Sequence, residues 1–382
     1  MTRSMDFAFT YGPRLICAPG AAGTLGSHLP PGRCLVVTDI VVRRLGLADS
    51  ALASLAERGI DPVVFDAVEQ DPSLTTLHAA VAAGEGVSSV VGLGGGSPMD
   101  VAKLAAYLLA TGEDVDTLWG LGKATGQRLP LVQVPTTAGT GSEATAVAVI
   151  TVGGGEKRGV NSPPLAADLA ILDADLTLSA PHGVTAATGV DAMVHAIEAY
   201  TSLRLKNPMS DLLAREALRL LSANLPVVLE RPQDRAARAA MLLGAHLAGV
   251  AFANAPVAGV HALAYPLGGH FHVPHGAANA LMLVPVLRHN LHAAMPLYAE
   301  RGVLLDPGLA RLGQQGQAQG FIAAVERLAR EAGVPQRLSQ VGVTPADLDL
   351  LAAEAMKQER LLINNPCPIS QSDARRLYES VL

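Results

Sequence analysis

The sequence predicts an α/β domain with a parallel sheet followed by an all-helical domain, and two observations carry that prediction. Short β-branched runs alternate with helical stretches as far as residue 180, the pattern of strands joined by crossover helices. From Pro181 onward those runs cease, and apolar positions recur at i, i+3, i+4 and i+7. Residues 1–180 are therefore assigned to the α/β domain and 181–382 to the helical one.

The elements follow in order. CLVVTD (34–39) reads as a strand, and a helix is expected through Leu45–Ala56. PVVF (62–65) is the next strand and Leu74–Ala83 the next helix. SSVVGLGGG (88–96) is a strand running into glycines, with a helix from Pro98 to about Ala110. LPLVQVPTT (129–137), TAVAVIT (145–151) and LAILD (169–173) complete the strands. In the second half, Pro181 suits the first turn of a helix because its missing N–H has no partner to lose there. ATGVDAMVHAIEAYTS, PMSDLLAREALRLLSANL and DRAARAAMLLGAHLAGVAF continue as helices, as do Phe321–Ala332 and Pro345–Met356. GQQGQAQG (313–320) reads as a polar surface loop.

Composition excludes several function classes. The net charge of −6, with no basic run, argues against nucleic-acid binding. Cys17, Cys34 and Cys367 are scattered, odd in number and without CxxC spacing, so neither a disulfide framework nor a zinc ribbon is expected. The opening MTRSMDFAFTYGP lacks the apolar core and cleavage site of a signal peptide, and a cytosolic location is expected. No charged residue occurs between Arg238 and Arg288, a stretch longer than the ~20 residues of a spanning helix. That stretch carries Asn254, Pro256, Pro266, Pro274 and the histidines at 261, 270, 272 and 275, polar or helix-breaking groups that a lipid-facing helix would have to hide. It is read as buried helices around a polar site, not as a membrane segment.

VVGLGGGSPMDVAK (90–103) is a strand, a glycine cluster and a helix start. Uncovered backbone amides at such a start form a ready phosphate site, and Ser97 could cap the helix or reach a phosphate oxygen. The dinucleotide fingerprint is imperfect: Gly92 and Gly94 fit, Ser97 takes the last position, and the acidic residue expected about 20 residues later is missing. Asp39 ends the strand CLVVTD, where a carboxylate could accept from ribose hydroxyls or simply cap a helix. PTTAGTGSEAT (135–145) offers hydroxyls and small residues after a strand, suited to close approach of a ligand or to an ordinary loop.

In GVDAMVHAIEAY (189–200), Asp191 and His195 are four apart on a helix, which puts them on one face about 5–6 Å apart at Cβ. Their flanks are apolar, and a buried pair needs compensation that a metal ion would supply. Glu198 shares that face, either supporting a ligand or pairing with a cation. HALAYPLGGHFHVPHG (261–276) brings four histidines, His261, His270, His272 and His275, without an acid or a base beside them. A carboxylate with imidazoles makes a nitrogen and oxygen site for Fe²⁺ or Zn²⁺, suited to Lewis-acid catalysis.

GGGSPMDVAK, PTTAGTGSEAT, GVDAMVHAIEAY and HALAYPLGGHFHVPHGAANA together resemble the iron-containing (group III) alcohol dehydrogenases of the dehydroquinate-synthase-like superfamily, in order and approximate spacing over nearly the whole chain. INNPCP (363–368) resembles that family's terminal Asn-Pro segment. The resemblance implies a dinucleotide-binding first domain and a metal held by Asp191, His195, His261 and His275. It places Gly95, Gly96 and Ser97 on the cofactor pyrophosphate, Thr136, Thr137 and Thr145 towards the nicotinamide, and Lys157 near the ribose. It makes Asp39 a ribose-binding aspartate, which favours NAD over NADP. Phe252 falls at an aromatic wall of the substrate pocket, with Val147 a second apolar wall. Many members carry a further histidine where this sequence has Tyr265. Tyr265, with an unperturbed pKa near ~10, is a poor neutral-pH base, and His270 or His272 could take over a proton-relay role.

The function implied is reversible, NAD-linked hydride transfer between a small alcohol and an aldehyde or ketone, assisted by a divalent metal, Fe²⁺ ahead of Zn²⁺. The cleft is expected between the domains, and a homodimer or larger assembly is implied. Glycerol dehydrogenase, maleylacetate reductase and dehydroquinate synthase chemistries are alternatives on the same scaffold. The first and last rely on three-residue metal sets, and His195 as a fourth ligand argues against them. A non-catalytic nucleotide- or metal-binding protein is the other alternative.

Overall fold

The computed structural model describes residues 6–153 and 156–382. The first five residues of the stretch read for a signal peptide lie outside the described residues. The chain divides into two compact units, Tyr11–Ala180 and Pro181–Leu382, and the latter includes the segment ending at Thr10. Thr10 donates its N–H to Asn254 Oδ1 at 2.7 Å and accepts from Asn254 Nδ2 at 2.8 Å. Residues 6–10 thus belong with the helical unit, whereas the sequence placed all of 1–180 in the α/β domain. A pairing across 244 positions leaves no local pattern to read.

The α/β unit contains strands β1 (Arg14–Cys17), β2 (Arg33–Val37), β3 (Asp61–Phe65), β4 (Ser89–Gly94), β5 (Gly120–Leu121), β6 (Leu131–Pro135), β7 (Val147–Thr151), β8 (Lys157–Asn161) and β9 (Leu169–Leu172). Its helices are α1 (Ile40–Arg44), α2 (Asp49–Glu57), α3 (Leu74–Ala83) and α4 (Gly96–Thr111). Six strands form a wholly parallel sheet in the order β1-β9-β6-β4-β2-β3. Side chains alternate across it: Leu35, Val37 and Val90 pack on the face of Leu77 and Leu104, and Cys34, Val36, Val91 and Leu93 on that of Leu25 and Leu55. Both faces are covered, so the strands read as nearly continuous apolar runs. A second, three-stranded sheet, β5-β8-β7, was not expected from the sequence; β5 is only two residues long, and β8, KRGVN, carries lysine, arginine and glycine where an apolar run would stand.

The helix expected through Leu45–Ala56 begins only at Asp49, as α2; a separate short helix, α1, precedes it and ends before Leu45–Ala48, where Gly46 takes a left-handed φ of 70°. The more important feature is the strand order. The chain runs from β2 out to β3 and back to β4 on the other side of β2. The carboxyl ends of β2 and β4 therefore flank a topological switch point, the place where open parallel sheets bind ligands.

The helical unit comprises α5 (His182–Thr201), α6 (Pro208–Glu230), α7 (Arg235–Asn254), α8 (Gly259–Phe271), α9 (His275–Leu305), α10 (Gln314–Glu331), α11 (Leu348–Met356), α12 (Glu359–Leu362) and α13 (Gln371–Glu379). Pro181 immediately precedes α5. α7 is long and apolar enough to cross a membrane, and it packs against α5 and α6. The polar stretch 313–320 is not a loop but the first turns of α10. Its glycines serve close packing: a Cβ on Gly320 would lie 2.5 Å from Leu309 Cδ2, and one on Gly302 of α9 would lie 2.4 Å from Gln317 O. Small residues and the buried Ala318 and Phe321 hold this segment helical despite its glutamines.

Candidate active site

The helical unit gathers four potential ligand side chains at one point. Asp191, His195 and Glu198 stand at i, i+4 and i+7 on α5 and share one face. His261 lies in the first turn of α8, and His275 opens α9. One ligand atom from each of Asp191, His195, His261 and His275 lies within 4.8 Å of the others. Asp191 Oδ1 is 4.0 Å from His195 Nε2, 4.0 Å from His261 Nε2 and 3.8 Å from His275 Nε2. The first three residues are buried and His275 is half-buried. Burial alone pushes the Asp191 carboxyl up. The charges that His195, His275 and His261 can carry, with a hydrogen bond from Asn279, hold it below the usual carboxylate range.

Two further side chains orient this cluster. Glu198 is 3% exposed and accepts the backbone N–H of Val260 at 2.7 Å and of Ala258 at 3.0 Å. Its Oε2 lies 2.6 Å from His261 Nδ1. The carboxylate can only accept, so Nδ1 carries the proton and Nε2 presents its lone pair to the cluster. Of the two contacts the sequence allowed for Glu198, the one made is to a member of the cluster, His261, and not to a lysine or arginine. Asn279, fully buried on α9 and one turn after His275, directs Nδ2 at the cluster. Asn279 was not among the residues expected from the sequence. Its spacing of four from His275 was the available signal, repeating that of Asp191 and His195.

The ring of Phe252 stacks on His195 with centroids 4.5 Å apart, giving the cluster an apolar side. Tyr265, one turn beyond His261, holds its ring 5.9 Å from that of His275. His270 and His272 are exposed, and His272 ends α8 in a left-handed conformation with φ 53°. Three imidazole nitrogens and one carboxylate oxygen, buried and with one tautomer already set, fit a divalent cation of the Fe²⁺ or Zn²⁺ kind.

In the α/β unit the glycine turn lies at the carboxyl end of β4. Gly95 precedes the first turn of α4, and no side chain caps that helix; Ser97 is inside the turn and does not cap it. A Cβ on Gly95 would meet only Thr137 Oγ1, at 3.7 Å, so the amides stand open beside Thr137. Asp39, after β2, caps α1: its Oδ1 accepts from Val41 N at 2.8 Å and Val42 N at 2.9 Å. Its Oδ2 faces the glycine turn, 3.5 Å from where a Gly94 Cβ would stand. Both readings of Asp39, cap and acceptor beside the turn, are thus open to one carboxylate. An uncapped helix start at the switch point, with a carboxylate alongside, fits a dinucleotide.

The threonine segment is held by a lysine that the sequence analysis quoted without assigning. Lys103 is fully buried and donates to Ser142 Oγ at 2.7 Å, Val147 O at 2.6 Å, Thr145 Oγ1 at 3.3 Å and Asp100 Oδ1 at 3.3 Å. Burial pulls its ammonium pKa down, while Asp100 and Glu143 oppose that shift. Asp100 also accepts Val149 N at 2.9 Å, so one ion pair fastens residues 142–149 to α4. Thr145 therefore turns its hydroxyl to Lys103. Thr136 is buried with its N–H on Gly94 O at 2.9 Å, and Thr137 stays half-exposed beside the glycine turn. Lys157 on β8 is paired with Asp71 at 2.7 Å.

Both units match one family of known proteins. Residues 12–174 match the iron-containing alcohol dehydrogenase family, and residues 185–382 match the C-terminal part of the Fe-containing alcohol dehydrogenase family. The chain belongs to the iron-containing alcohol dehydrogenases. Long-chain-alcohol dehydrogenase 1 of Geobacillus thermodenitrificans is 40% identical over 91% of this chain and 88% of that protein. The NAD-dependent methanol dehydrogenase of Bacillus methanolicus is 31% identical over 97% of this chain and 98% of its own. A crystal structure of 1,3-propanediol oxidoreductase superposes with a TM-score of 0.95 at 34% identity, covering 99% of this chain and 100% of that one. This iron-containing alcohol dehydrogenase is accordingly an oxidoreductase acting on CH–OH donors.

Proposed function

We propose that the enzyme transfers hydride reversibly between a small alcohol and its aldehyde or ketone, linked to NAD and dependent on a divalent metal. The observation that carries this reading is the convergence of Asp191, His195, His261 and His275 within 4.8 Å. These four residues would hold the ion, Fe²⁺ ahead of Zn²⁺. A bound divalent ion supplies Lewis acidity towards the substrate oxygen, and NAD accepts or returns the hydride.

The chain's own residues do the rest. Asp191 lowers the charge of the centre by one, and Glu198 keeps His261 in the tautomer that faces it. Phe252 restrains the His195 ring and offers an apolar wall, which favours a carbon chain over a charged substituent. On the cofactor side, the amides of Gly95, Gly96 and Ser97 would bind the pyrophosphate at the start of α4. Asp39 Oδ2 would accept from a ribose hydroxyl and repel a 2′-phosphate. Thr137 lies open towards the same turn. Thr145 and Lys157 act through the contacts they already make, with Lys103 and Asp71, steadying the loops on either side.

A cytosolic enzyme working as a homodimer or larger assembly is part of the proposal, supported by the scattered cysteines and by family resemblance. The decisive experiment is NAD reduction with a panel of small alcohols, before and after chelation and after adding Fe²⁺ or Zn²⁺. Activity should vanish on chelation and return with metal; turnover unchanged after complete metal removal rules the reading out.

A further inference from the structure

Asn279 is fully buried, and its Nδ2 lies 2.6 Å from Asp191 Oδ1, 3.1 Å from His275 Nε2 and 3.2 Å from His261 Nε2. Those three acceptors belong to three of the four residues that converge at the cluster. The amide's other end, Oδ1, is buried without a hydrogen-bond partner. The reverse orientation would set Oδ1 against a carboxylate oxygen and two imidazole nitrogens, one of them obliged to present a lone pair by Glu198. Electrostatics therefore puts the NH₂ group inward, although this leaves a buried acceptor without a partner.

We infer that Asn279 is a positioning residue of the metal centre, whose amide holds the Asp191, His261 and His275 lone pairs turned inward for the ion to take over. An NH₂ group has two hydrogens for these three acceptors, so the arrangement is only partly satisfied. A divalent cation replaces its weaker contacts to the imidazoles. The contact to Asp191 is charge-assisted and the shortest, and it keeps one carboxylate oxygen oriented through the exchange. Asn279 and Glu198 thus restrain the site from opposite sides: the amide at the inward face of the ligands, the carboxylate at the outer nitrogen of His261.

This inference rests on the metal reading above, and the experiment separates the two. Full-length protein stripped of metal is titrated with Zn²⁺ in competition with a chelator and with Co²⁺ by visible absorption. Wild type, Asn279→Leu and a control, Asn290→Ala, are compared. Asn290 is also buried on α9 but pairs with Asn365. Asn279→Leu should weaken Zn²⁺ binding by about 10–100-fold and alter the Co²⁺ spectrum. Asn290→Ala should lower Tm without changing either readout. Unchanged affinity and spectrum in Asn279→Leu overturn the inference; failure of wild type to bind either metal overturns the metal reading itself. If Asn279→Leu does not fold, the near-isosteric Asn279→Asp decides. It sets two carboxylates face to face in the stripped protein, so the Tm gain on adding Zn²⁺ should exceed that of wild type. A gain equal to wild type overturns the inference.

Discussion

The metal centre and the nucleotide turn are built on opposite plans. In the helical unit the proposed site is built from side chains, mostly buried, three of them held by a partner distant in sequence: Glu198 on His261, Asn279 on Asp191, Phe252 on His195. In the α/β unit the proposed site is backbone, at a helix start that no side chain caps, and the Asp39 carboxylate beside it also serves as a cap. The difference teaches where each site is fragile. A side-chain centre fails when one partner is lost, whereas a backbone site fails when something is added.

The largest effect should come from the ligands. His261→Ala or His275→Ala should lose metal by elemental analysis and lose alcohol-dependent NAD reduction, by more than the ~10–100-fold that loss of a ligand's hydrogen-bond partner costs. Retained metal and turnover would show that the convergence is structural only. Next is Glu198→Gln, which keeps the shape and an acceptor oxygen but removes the charge that orients His261. Metal affinity should fall by about tenfold or more, measured by chelator competition.

The glycines test the other plan. A Cβ on Gly92 would meet Gln133 Oε1 at 2.3 Å and Met99 Cα at 3.0 Å, so Gly92→Ala should cost about 1–3 kcal/mol in denaturant unfolding. Gly95→Ala has room in the fold and should change stability by less than ~0.5 kcal/mol while raising KM for NAD. A Gly95→Ala enzyme with unaltered KM would mean that the turn does not carry the cofactor. The smallest expected effect on turnover is at Asp39. Asp39→Ala should lose about 1 kcal/mol with the cap, and Asp39→Ser should keep the cap yet narrow the preference for NAD over NADP in steady-state kinetics.

Legibility divided along the same line. The parallel sheet was readable because its central strands, such as β2 and β4, are buried on both faces and stand out as apolar runs. β5 and β8 were not, since a small sheet with glycine and charge has no such run. The turns of α10 were misread because their helicity depends on glycines fitting against Leu309 and α9, a property of the neighbours. Asp191 and His195 were readable as a pair four apart on one helix, and the four motifs in order pointed to the family.

By itself, then, the sequence determined what repeats at short range: strand and helix periodicity, the glycine turn, the i, i+4 pair, and the motifs resembling the family. It could not separate the four histidines of HALAYPLGGHFHVPHG by spacing alone, nor settle between support and ion pairing for Glu198. The tertiary structure decided both. It brings His261 and His275 to Asp191 and leaves His270 and His272 exposed. It also sets Glu198, Asn279 and Lys103 to work on partners that the sequence does not place beside them. The physical reason is common to all of these. A buried polar group must be satisfied, and which distant group satisfies it is fixed only when the helices and strands pack.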